Sequence, residues 1–174
     1  RLNRPHDAEP ILVDLLAAGT KVLPEERPQI RRQLALAVTA PGRPPNMDLA
    51  LKLLALNDGS DADRRVSALV QGAVPTQRSA ALRDLAALPT AEAAPEEMVR
   101  WAQLYDLSGA WDRAREIYLR LAASDPDNPA IPAELVDGSL RHGRIPEAQA
   151  WLGRLEKLAP AYPRVKELRQ RFHE

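Results

Sequence analysis

The stretch SGAWDRAREIYLRLAASDP (residues 108–126) returns in outline as HGRIPEAQAWLGRLEKLAP (residues 142–160). Five residue types recur at a constant offset of 34 positions. They are Gly109 and Gly143, Ala114 and Ala148, Arg120 and Arg154, Leu121 and Leu155, and Pro126 and Pro160. A fixed interval of this size is typical of stacked helix pairs, because each pair meets the same steric problem as the one before. A bundle gives its turn residues no reason to recur, so the offset favours a solenoid.

Each recurring residue has a role in such a pair. The glycines fall where two antiparallel helices join in a tight turn, which we expect to require positive φ. Ala114 and Ala148 are expected at the closest approach of the two helices, where a larger residue would push them apart. Pro126 and Pro160 cannot continue a helix and should end it. The core between the helices is predicted to contain the large residues four and seven positions after each alanine, namely Tyr118, Leu121, Leu152 and Leu155.

Helical periodicity continues through the rest of the chain, and no segment alternates with period two for long enough to form a strand. Most of the 16 prolines and 8 glycines lie between leucine- and alanine-rich stretches, so they mark helix ends. Asn46 is a predicted N-cap. We therefore predict an all-α chain of about ten helices, each about 11–14 residues long. They are expected near residues 6–18, 24–38, 47–57, 62–73, 77–88, 95–108, 111–124, 129–142, 145–158 and 162–173.

The segment WAQLYDLSGAWDRAREIYLRLAASDPDNP (residues 101–129) resembles a tetratricopeptide repeat. The pattern of that family, from a large apolar residue to a final proline, is filled by Trp101, Ala102, Tyr105, Gly109, Ala114, Tyr118, Leu121 and Pro126. The next repeat supplies Leu135, Val136, Ser139, Gly143, Ala148, Leu152, Leu155 and Pro160. Val136 is larger than the family's small residue and Ser139 replaces its aromatic residue, so this repeat is predicted to pack more loosely.

The resemblance implies a right-handed α-solenoid of antiparallel helix pairs, similar to long bacterial repeat arrays. It divides the chain into degenerate helix pairs at 1–94, repeats at 95–128 and 129–162, and a capping helix at 163–174. In the first part, the alanines expected at the close approaches lie at irregular intervals, at Ala8, Ala50 and Ala81. We interpret this part as helix pairs of the same kind with loops of variable length.

The charge balance narrows the classes of partner. Lysine plus arginine and aspartate plus glutamate number 24 each, so the formal net charge is zero. No excess positive charge is available to bind phosphates, which argues against nucleic acid as a partner. No apolar run approaches the roughly 20 residues needed to span a bilayer, so we predict no membrane insertion. The lack of cysteine excludes disulfides and thiolate sites, and it is compatible with the cytoplasm and the periplasm alike.

No residue pattern indicates catalysis. His6, His142 and His173 lie in three different helices or helix ends, so they do not form the paired ligands of a helical metal site. The chain has neither a G-x-S-x-G motif nor a glycine-rich phosphate loop. We therefore predict no catalytic residue, no metal site and no cofactor, and a protein that is not an enzyme.

The resemblance also implies where a partner binds, because the first helix of each pair lines a concave groove in this family. The groove positions are Glu96, Val99, Gln103, Asp106 and Leu107, then Ala130, Ala133, Asp137, Leu140 and Arg141. Family members that bind chaperones grip a C-terminal carboxylate with lysine and asparagine. Val99 and Ala133 stand where lysine would be needed. Gln103 and Asp137 stand where asparagine would be needed, so capture of a chaperone tail is not expected.

The aromatic residues allow two interpretations. All seven lie from Trp101 onward. Trp101, Tyr105 and Tyr118 occupy repeat positions and are predicted to lie in the core. For Trp111 and Trp151, a place in the core and a place in a groove that stacks against a ligand are equally open.

Together, the repeats and the resemblance predict a protein-binding or scaffold segment of a larger bacterial protein, with a preformed groove that accepts a peptide or a helix. Two alternatives stay open: a structural spacer between domains, and a regulatory domain attached to an enzyme elsewhere in a longer chain.

The first helix suggests a second contact surface. Its stretch ILVDLLAA (residues 11–18) has five large aliphatic residues and one charge. A repeat buries its apolar face only against neighbours. We therefore expect this helix to pack against a further repeat upstream or, by self-association, against another copy of the chain.

Overall fold

The computed structural model describes residues 5–17, 22–42, 44–89 and 93–172. Within these ranges the chain forms ten α-helices and a short 3₁₀ helix, Pro75–Gln77, and contains no strand. The α-helices are α1 (Pro5–Ala17), α2 (Arg27–Val38), α3 (Met47–Ala55), α4 (Asp61–Gln71), α5 (Arg78–Ala86), α6 (Pro95–Leu107), α7 (Trp111–Ser124), α8 (Ala130–Arg141), α9 (Ile145–Leu158) and α10 (Pro163–Gln170). The predicted all-α fold and the expected number of helices are confirmed. The right-handed winding stays a prediction.

Several helix ends differ from the predicted ones. α3 and α5 have 9 residues each and α10 has 8, so these three helices are shorter than expected. α3 stops early because the N–H of Leu56 bonds to the C=O of Leu53 at 3.3 Å, which tightens the last turn. α2 begins only at Arg27, because a preceding turn is closed by the N–H of Glu26 donating to the C=O of Leu23 at 3.0 Å.

Two helices begin with side-chain caps. The N–H of Leu49 donates to Oδ1 of Asn46 at 3.1 Å, which confirms the predicted N-cap of α3. α4 begins with a capping box, in which the N–H of Asp63 donates to Oγ of Ser60 at 3.3 Å and the N–H of Ser60 donates to the Asp63 carboxylate at 3.1 Å. Asp63 stands where the usual motif has Glu or Gln, so the sequence pattern did not indicate this cap.

The chain divides into two compact units, Arg1–Glu97 and Met98–Glu174. In the first unit α2 packs against α1, α3 and α4, and α4 also packs against α3 and α5. Its core consists of buried aliphatic residues and alanines, among them Leu34, Val38, Val66, Val70 and Leu85.

Polar side chains are also buried in the first unit. Nε of Arg65 lies 2.9 Å from Oε2 of Glu97, and both side chains are buried. The same arginine donates from Nη1 to the C=O of Pro89 at 3.0 Å. These contacts fasten α4 to the segment that leads into α6.

Asp63 is the centre of a second buried polar group. Its carboxylate accepts hydrogen bonds from Asn57 at 2.7 Å, from Arg32 at 3.0 Å and from the hydroxyl of Ser60 at 2.9 Å. Burial by itself raises the pKa of Asp63, but the hydrogen bonds from Asn57, Arg32 and Ser60 outweigh it and hold this pKa below its ordinary value. The ionised carboxylate therefore stabilises the folded unit.

We expect Asp63→Asn to lower the free energy of unfolding at pH 7 by about 1–2 kcal/mol. Because the folded pKa is depressed, the contribution of Asp63 is complete above its unfolded value of about 3.9 and is lost as the pH falls through the folded value. The difference between wild type and variant should therefore shrink from pH 5 to pH 2 in urea denaturation followed by circular dichroism. Asp61→Asn, in the first turn of the same helix, is the control. If the difference from wild type shrinks equally for both variants, the pH dependence does not come from the Asp63 network.

In the second unit α8 is central, since it packs against α7, α9 and α10, and α9 also packs against α10. The apolar cluster between α8, α9 and α10 contains Ala133, Val136, Leu152, Leu155, Val165 and Leu168. Ala114 and Ala148 are fully buried, which confirms the burial expected at the close approaches.

The two helix-joining turns share one hydrogen-bond pattern. Gly109 and Gly143 have φ of 78° and 68°, so the predicted positive φ is confirmed. The residue after each glycine donates back across the turn, from Ala110 to Tyr105 at 2.9 Å and from Arg144 to Ser139 at 2.8 Å. The N–H of each glycine bonds to the C=O three residues earlier. These bonds define a Schellman motif, in which the left-handed residue satisfies the last carbonyls of the first helix.

Gly143→Val is expected to destabilise the chain by about 1–2 kcal/mol or more, because a β-branched residue is strained at positive φ. A Cβ at this position has nothing within 4 Å, so the effect isolates backbone strain from steric clash. Gly143→Asn is the control and should be milder, because asparagine tolerates this conformation. Equal melting temperatures for all three proteins would contradict the turn assignment.

Trp111 begins α7 and is buried. Its ring lies against Gly138 in the middle of α8, where an added Cβ would lie only 2.1 Å from the six-membered part of the indole. Of the two interpretations left open for Trp111, the structure therefore favours the core. Trp151 is half-buried, with the guanidinium of Arg154 over its ring at 5.2 Å.

Gly138→Ala should lower the free energy of unfolding by about 1–3 kcal/mol, because the new methyl group overlaps the Trp111 ring. Gly153→Ala is a closely matched control: Gly153 is also inside a helix, but a Cβ there has nothing within 4 Å. Replacing a helical glycine by alanine in open space should stabilise the chain by about 0.5–1 kcal/mol. Destabilisation of the same size in both variants, measured by thermal unfolding, would show that the indole contact is not the cause.

Other predicted core residues differ in burial. Trp101 and Tyr118 are buried as expected, but Tyr105 is only half-buried and has the Arg113 guanidinium 5.7 Å from its ring centroid. Leu121, on α7, is also half-buried. Tyr105 and Leu121 are therefore only partly buried at their predicted core positions.

The first helix exposes much of its aliphatic surface. Leu12 is buried, whereas Ile11, Val13 and Leu15 are 50%, 45% and 39% exposed. Self-association through this helix stays a prediction. In the part of the chain that the structure describes, no helix combines the length and the apolar character that crossing a membrane requires.

Candidate interaction surface

The groove residues inferred from the sequence differ in how far they are exposed to solvent. Apart from the two alanines, eight groove positions were predicted. Seven of these lie in the second unit, and Glu96 lies exposed in the first. Leu107 is 55% exposed and Arg141 is also exposed. Asp137 is buried. The remaining candidates are half-buried, namely Val99, Gln103, Asp106 and Leu140.

The two alanines predicted to line the groove, Ala130 and Ala133, are less accessible to a partner. Ala130 is half-buried at the start of α8, and Ala133 is fully buried in the apolar cluster of the second unit. Ala133 cannot contact a partner from that position, so its prediction as a groove residue is wrong. It faces inward because α9 and α10 cover that side of α8.

Asp137 is the centre of a set of ion pairs. Its carboxylate accepts hydrogen bonds from Nη1 of Arg141 at 2.5 Å and from Nη1 of Arg171. Nη2 of Arg164 lies 3.8 Å from the same carboxylate. Arg164 also donates from Nη1 to Glu134 at 2.5 Å. One buried carboxylate of α8 is thus surrounded by three guanidinium groups.

Asp106, near the end of α6, extends the same set. It accepts a hydrogen bond from Nη2 of Arg141, and Nε2 of His142 lies 2.7 Å from its Oδ1. Side chains from α6, from α8 and from α10 with the residue that follows it therefore meet on one face of the second unit. We name this set the ion-paired wall, which consists of Asp106, Glu134, Asp137, Arg141, Arg164 and Arg171.

The carboxylates of the wall raise the pKa of two of its arginines. Burial lowers the pKa of Arg141, but Asp137 and Asp106 outweigh it and raise this pKa above its ordinary value. Burial also lowers the pKa of Arg164, but the Glu134 carboxylate outweighs it and raises this pKa above its ordinary value. Behind the wall, burial and then the charges of Glu134 and Asp106 raise the pKa of the Tyr118 phenol. Arg141 and Arg164 therefore stay cationic and Tyr118 stays neutral at physiological pH.

Arg100 lies on α6 and is more deeply buried. Burial lowers its pKa to about 10, and the neighbouring Tyr118 opposes that shift. Even so, Arg100 is protonated at neutral pH, because its pKa stays well above 7.

Sequence reasoning missed the wall arginines Arg164 and Arg171, although the chain carried a signal for them. Opposite charges recur about one repeat apart: Asp137 and Arg171 are 34 residues apart, Asp106 and Arg141 are 35 apart, and Glu134 and Arg164 are 30 apart. A search for complementary charges near the repeat interval would have predicted these pairs.

A second feature lies at the turns of the second unit. The ring of His142 stacks on Trp111 with centroids 5.4 Å apart and planes 10° apart. An open cavity of about 410 Å³ lies beside this stack and is lined by Gly109, Ala110, Trp111, Asp112, Arg113, His142 and Arg144. His6 and His173, by contrast, have side chains outside the described residues. Across the described ranges, no three His, Asp or Glu side chains are grouped so that they could hold a metal ion.

The family comparison agrees with this architecture. Residues 107–172 match the model of the tetratricopeptide repeat family. This part of the chain is similar to a tetratricopeptide repeat. Tetratricopeptide repeats generally mediate protein–protein interactions and are typically not enzymes. The matched residues include α7 to α10 and five of the six residues of the ion-paired wall. Comparisons with curated proteins and with solved structures gave no match.

Asp137→Asn should lower the free energy of unfolding by about 1–3 kcal/mol, because it leaves three arginines around a neutral group. Glu156→Gln is the control: Glu156 pairs with Arg169 at 2.6 Å, but Arg169 is exposed and Glu156 is only half-buried. An exposed pair contributes about 0–1 kcal/mol. If the two variants unfold at the same urea concentration, the Asp137 cluster does not stabilise the fold.

Proposed function

We propose that the chain is a protein-binding module that holds a peptide or a helix of another protein against the face that bears the ion-paired wall. The observation that carries the proposal is the meeting of side chains from α6, α8 and α10 on one face of a tetratricopeptide repeat segment. Alternate helices of the array supply these groups, so an extended partner could contact all three.

The ion pairs support binding through pre-organisation. Arginine side chains lose considerable rotamer freedom when a partner fixes them. Here Arg141, Arg164 and Arg171 are already held by carboxylates before a partner arrives. The ordering penalty of binding is therefore smaller than for free surface arginines.

The proposed contact residues are the accessible ones of this face. Leu107 and Arg141 are exposed, and Gln103 and Leu140 are half-buried beside them along α6 and α8. Asp106 and Asp137 lie deeper and would position Arg141. We assign Val99 to the same surface as its extension along α6, and Glu96, in the first unit, stays a separate proposed contact residue.

We retain the proposed organisation into repeats at 95–128 and 129–162 and a capping helix at 163–174, after degenerate helix pairs at 1–94. We also retain the proposal that the chain is a segment of a larger bacterial protein. Nucleic acid stays outside the proposed partners, because the formal net charge is zero.

Site-specific photocrosslinking tests the proposed binding face. A photoreactive phenylalanine derivative would replace Leu107 or Arg141 on the wall face, and Ala123 or Ala150 on the exposed sides of α7 and α9 as controls. We expect protein adducts from the first two positions at least about fivefold above the controls, since adducts form only within a few ångströms of a bound partner. Adducts mainly from Ala123 or Ala150 would move the site to the second helices. The absence of adducts at all four positions would contradict a binding function and favour a structural spacer.

A further inference from the structure

The ion-paired wall is arranged with its arginines outermost. The Arg141 side chain is 46% exposed, whereas its partners Asp106 and Asp137 are 7% and 10% exposed. Arg171 is 33% exposed over Asp137, and Arg164 is 29% exposed beside Glu134 at 20%. In each pair the arginine side chain is more exposed than the carboxylate side chain.

This layering changes what a partner meets. Asp106, Glu134 and Asp137 are the only carboxylates on α8 and on the part of α6 in the second unit, and each of them is paired with an arginine. The wall has three carboxylates and three arginines, so it is neutral as a whole. Its most accessible side chains, however, are the arginines. At contact distance the wall therefore presents cationic hydrogen-bond donors.

The arginines also have donors to spare. A guanidinium has five N–H donors in a planar fork. Hydrogen bonds to the wall carboxylates engage two donors of Arg141 and one each of Arg164 and Arg171. A carboxylate on a partner could accept from the outer N–H groups while the inner pairs stay intact, and an arginine–carboxylate contact of this kind is strong and directional.

On this basis we propose that the partner segment is acidic, with aspartate or glutamate side chains that bind Arg141, Arg164 and Arg171 across α8 and α10. The inference rests on the proposed function, because it specifies the chemistry of the peptide or helix held there. A basic segment would be repelled by the outer guanidinium groups, and it could reach the carboxylates only by displacing them. Because the total charge is neutral, long-range attraction of a partner should be weak. Recognition then depends on how well the acidic side chains fit the positions of the arginines. A flexible polyanion fits such fixed positions poorly.

Selection from a random dodecapeptide library displayed on phage tests this proposal with the 174-residue chain as bait. We expect the selected peptides to contain aspartate and glutamate at about twice the library frequency or more, because three guanidinium groups face the bound segment. A synthetic copy of the best peptide should bind about tenfold more weakly at 500 mM than at 50 mM NaCl, since salt screens exposed ion pairs.

Matched variants locate the effect. Arg141→Gln with Arg171→Gln should weaken the synthetic peptide about tenfold or more, whereas Arg169→Gln, an equally conservative change on α10 away from the wall, should leave its affinity within about twofold. Since loss of two wall arginines could unfold the unit, circular dichroism is recorded for each variant. Arg141→Lys with Arg171→Lys provides a second test, because it keeps both charges and should recover part of the affinity.

The outcomes separate the two proposals. Wall-dependent peptides without acidic enrichment would overturn the acidic partner and leave the proposed function standing. Recovery of no peptide above background would contradict both. Acidic peptides whose affinity is unaffected by the wall substitutions would place the site elsewhere. Equal wall-dependent affinity for a single-stranded RNA of similar length would show a general polyanion surface, which overturns the proposal of an acidic protein segment.

Discussion

The second unit depends on the reversal of the chain at a left-handed glycine. Around Gly109 and again around Gly143, backbone hydrogen bonds close the same motif, so each pair of helices is joined with the same geometry. The repeated reversal carries every other helix back in the same direction. Without it, Asp106 on α6, Asp137 on α8 and Arg171 after α10 could not share a face.

In the ion-paired wall, that geometry links the stability of the fold to the proposed recognition of a partner. The carboxylates are taken out of water and would be unfavourable there alone, and the arginines compensate for this while staying accessible. Removing a carboxylate therefore weakens the fold, whereas removing an arginine also changes the surface. On the proposed binding face, a deep residue such as Asp137 therefore acts by holding arginines in place and not by touching a partner.

Local chemistry decided which features could be predicted from the sequence. Gly109 and Gly143 were predictable because few residues other than glycine adopt positive φ readily, and Ala114 and Ala148 because a close approach excludes larger side chains. The wall was predicted only in part. Its pairs link residues 30 to 35 positions apart, and which arginine reaches which carboxylate depends on side-chain length and on the exact separation of the helices. The depth of Ala133 likewise depends on what α9 and α10 cover.

The contact between Trp111 and Gly138 has a consequence for how such arrays evolve. One repeat later, Trp111 is replaced by Ile145, and the positions one repeat before and after Gly138 hold Leu104 and Phe172. The bulky ring and its cleft therefore occur as a single complementary couple, so neighbouring repeats are not interchangeable modules. Duplication or shuffling of one repeat would juxtapose mismatched surfaces. Such a change would be tolerated only if the residues at the Trp111 and Gly138 positions changed together. The fold therefore constrains the order of the repeats.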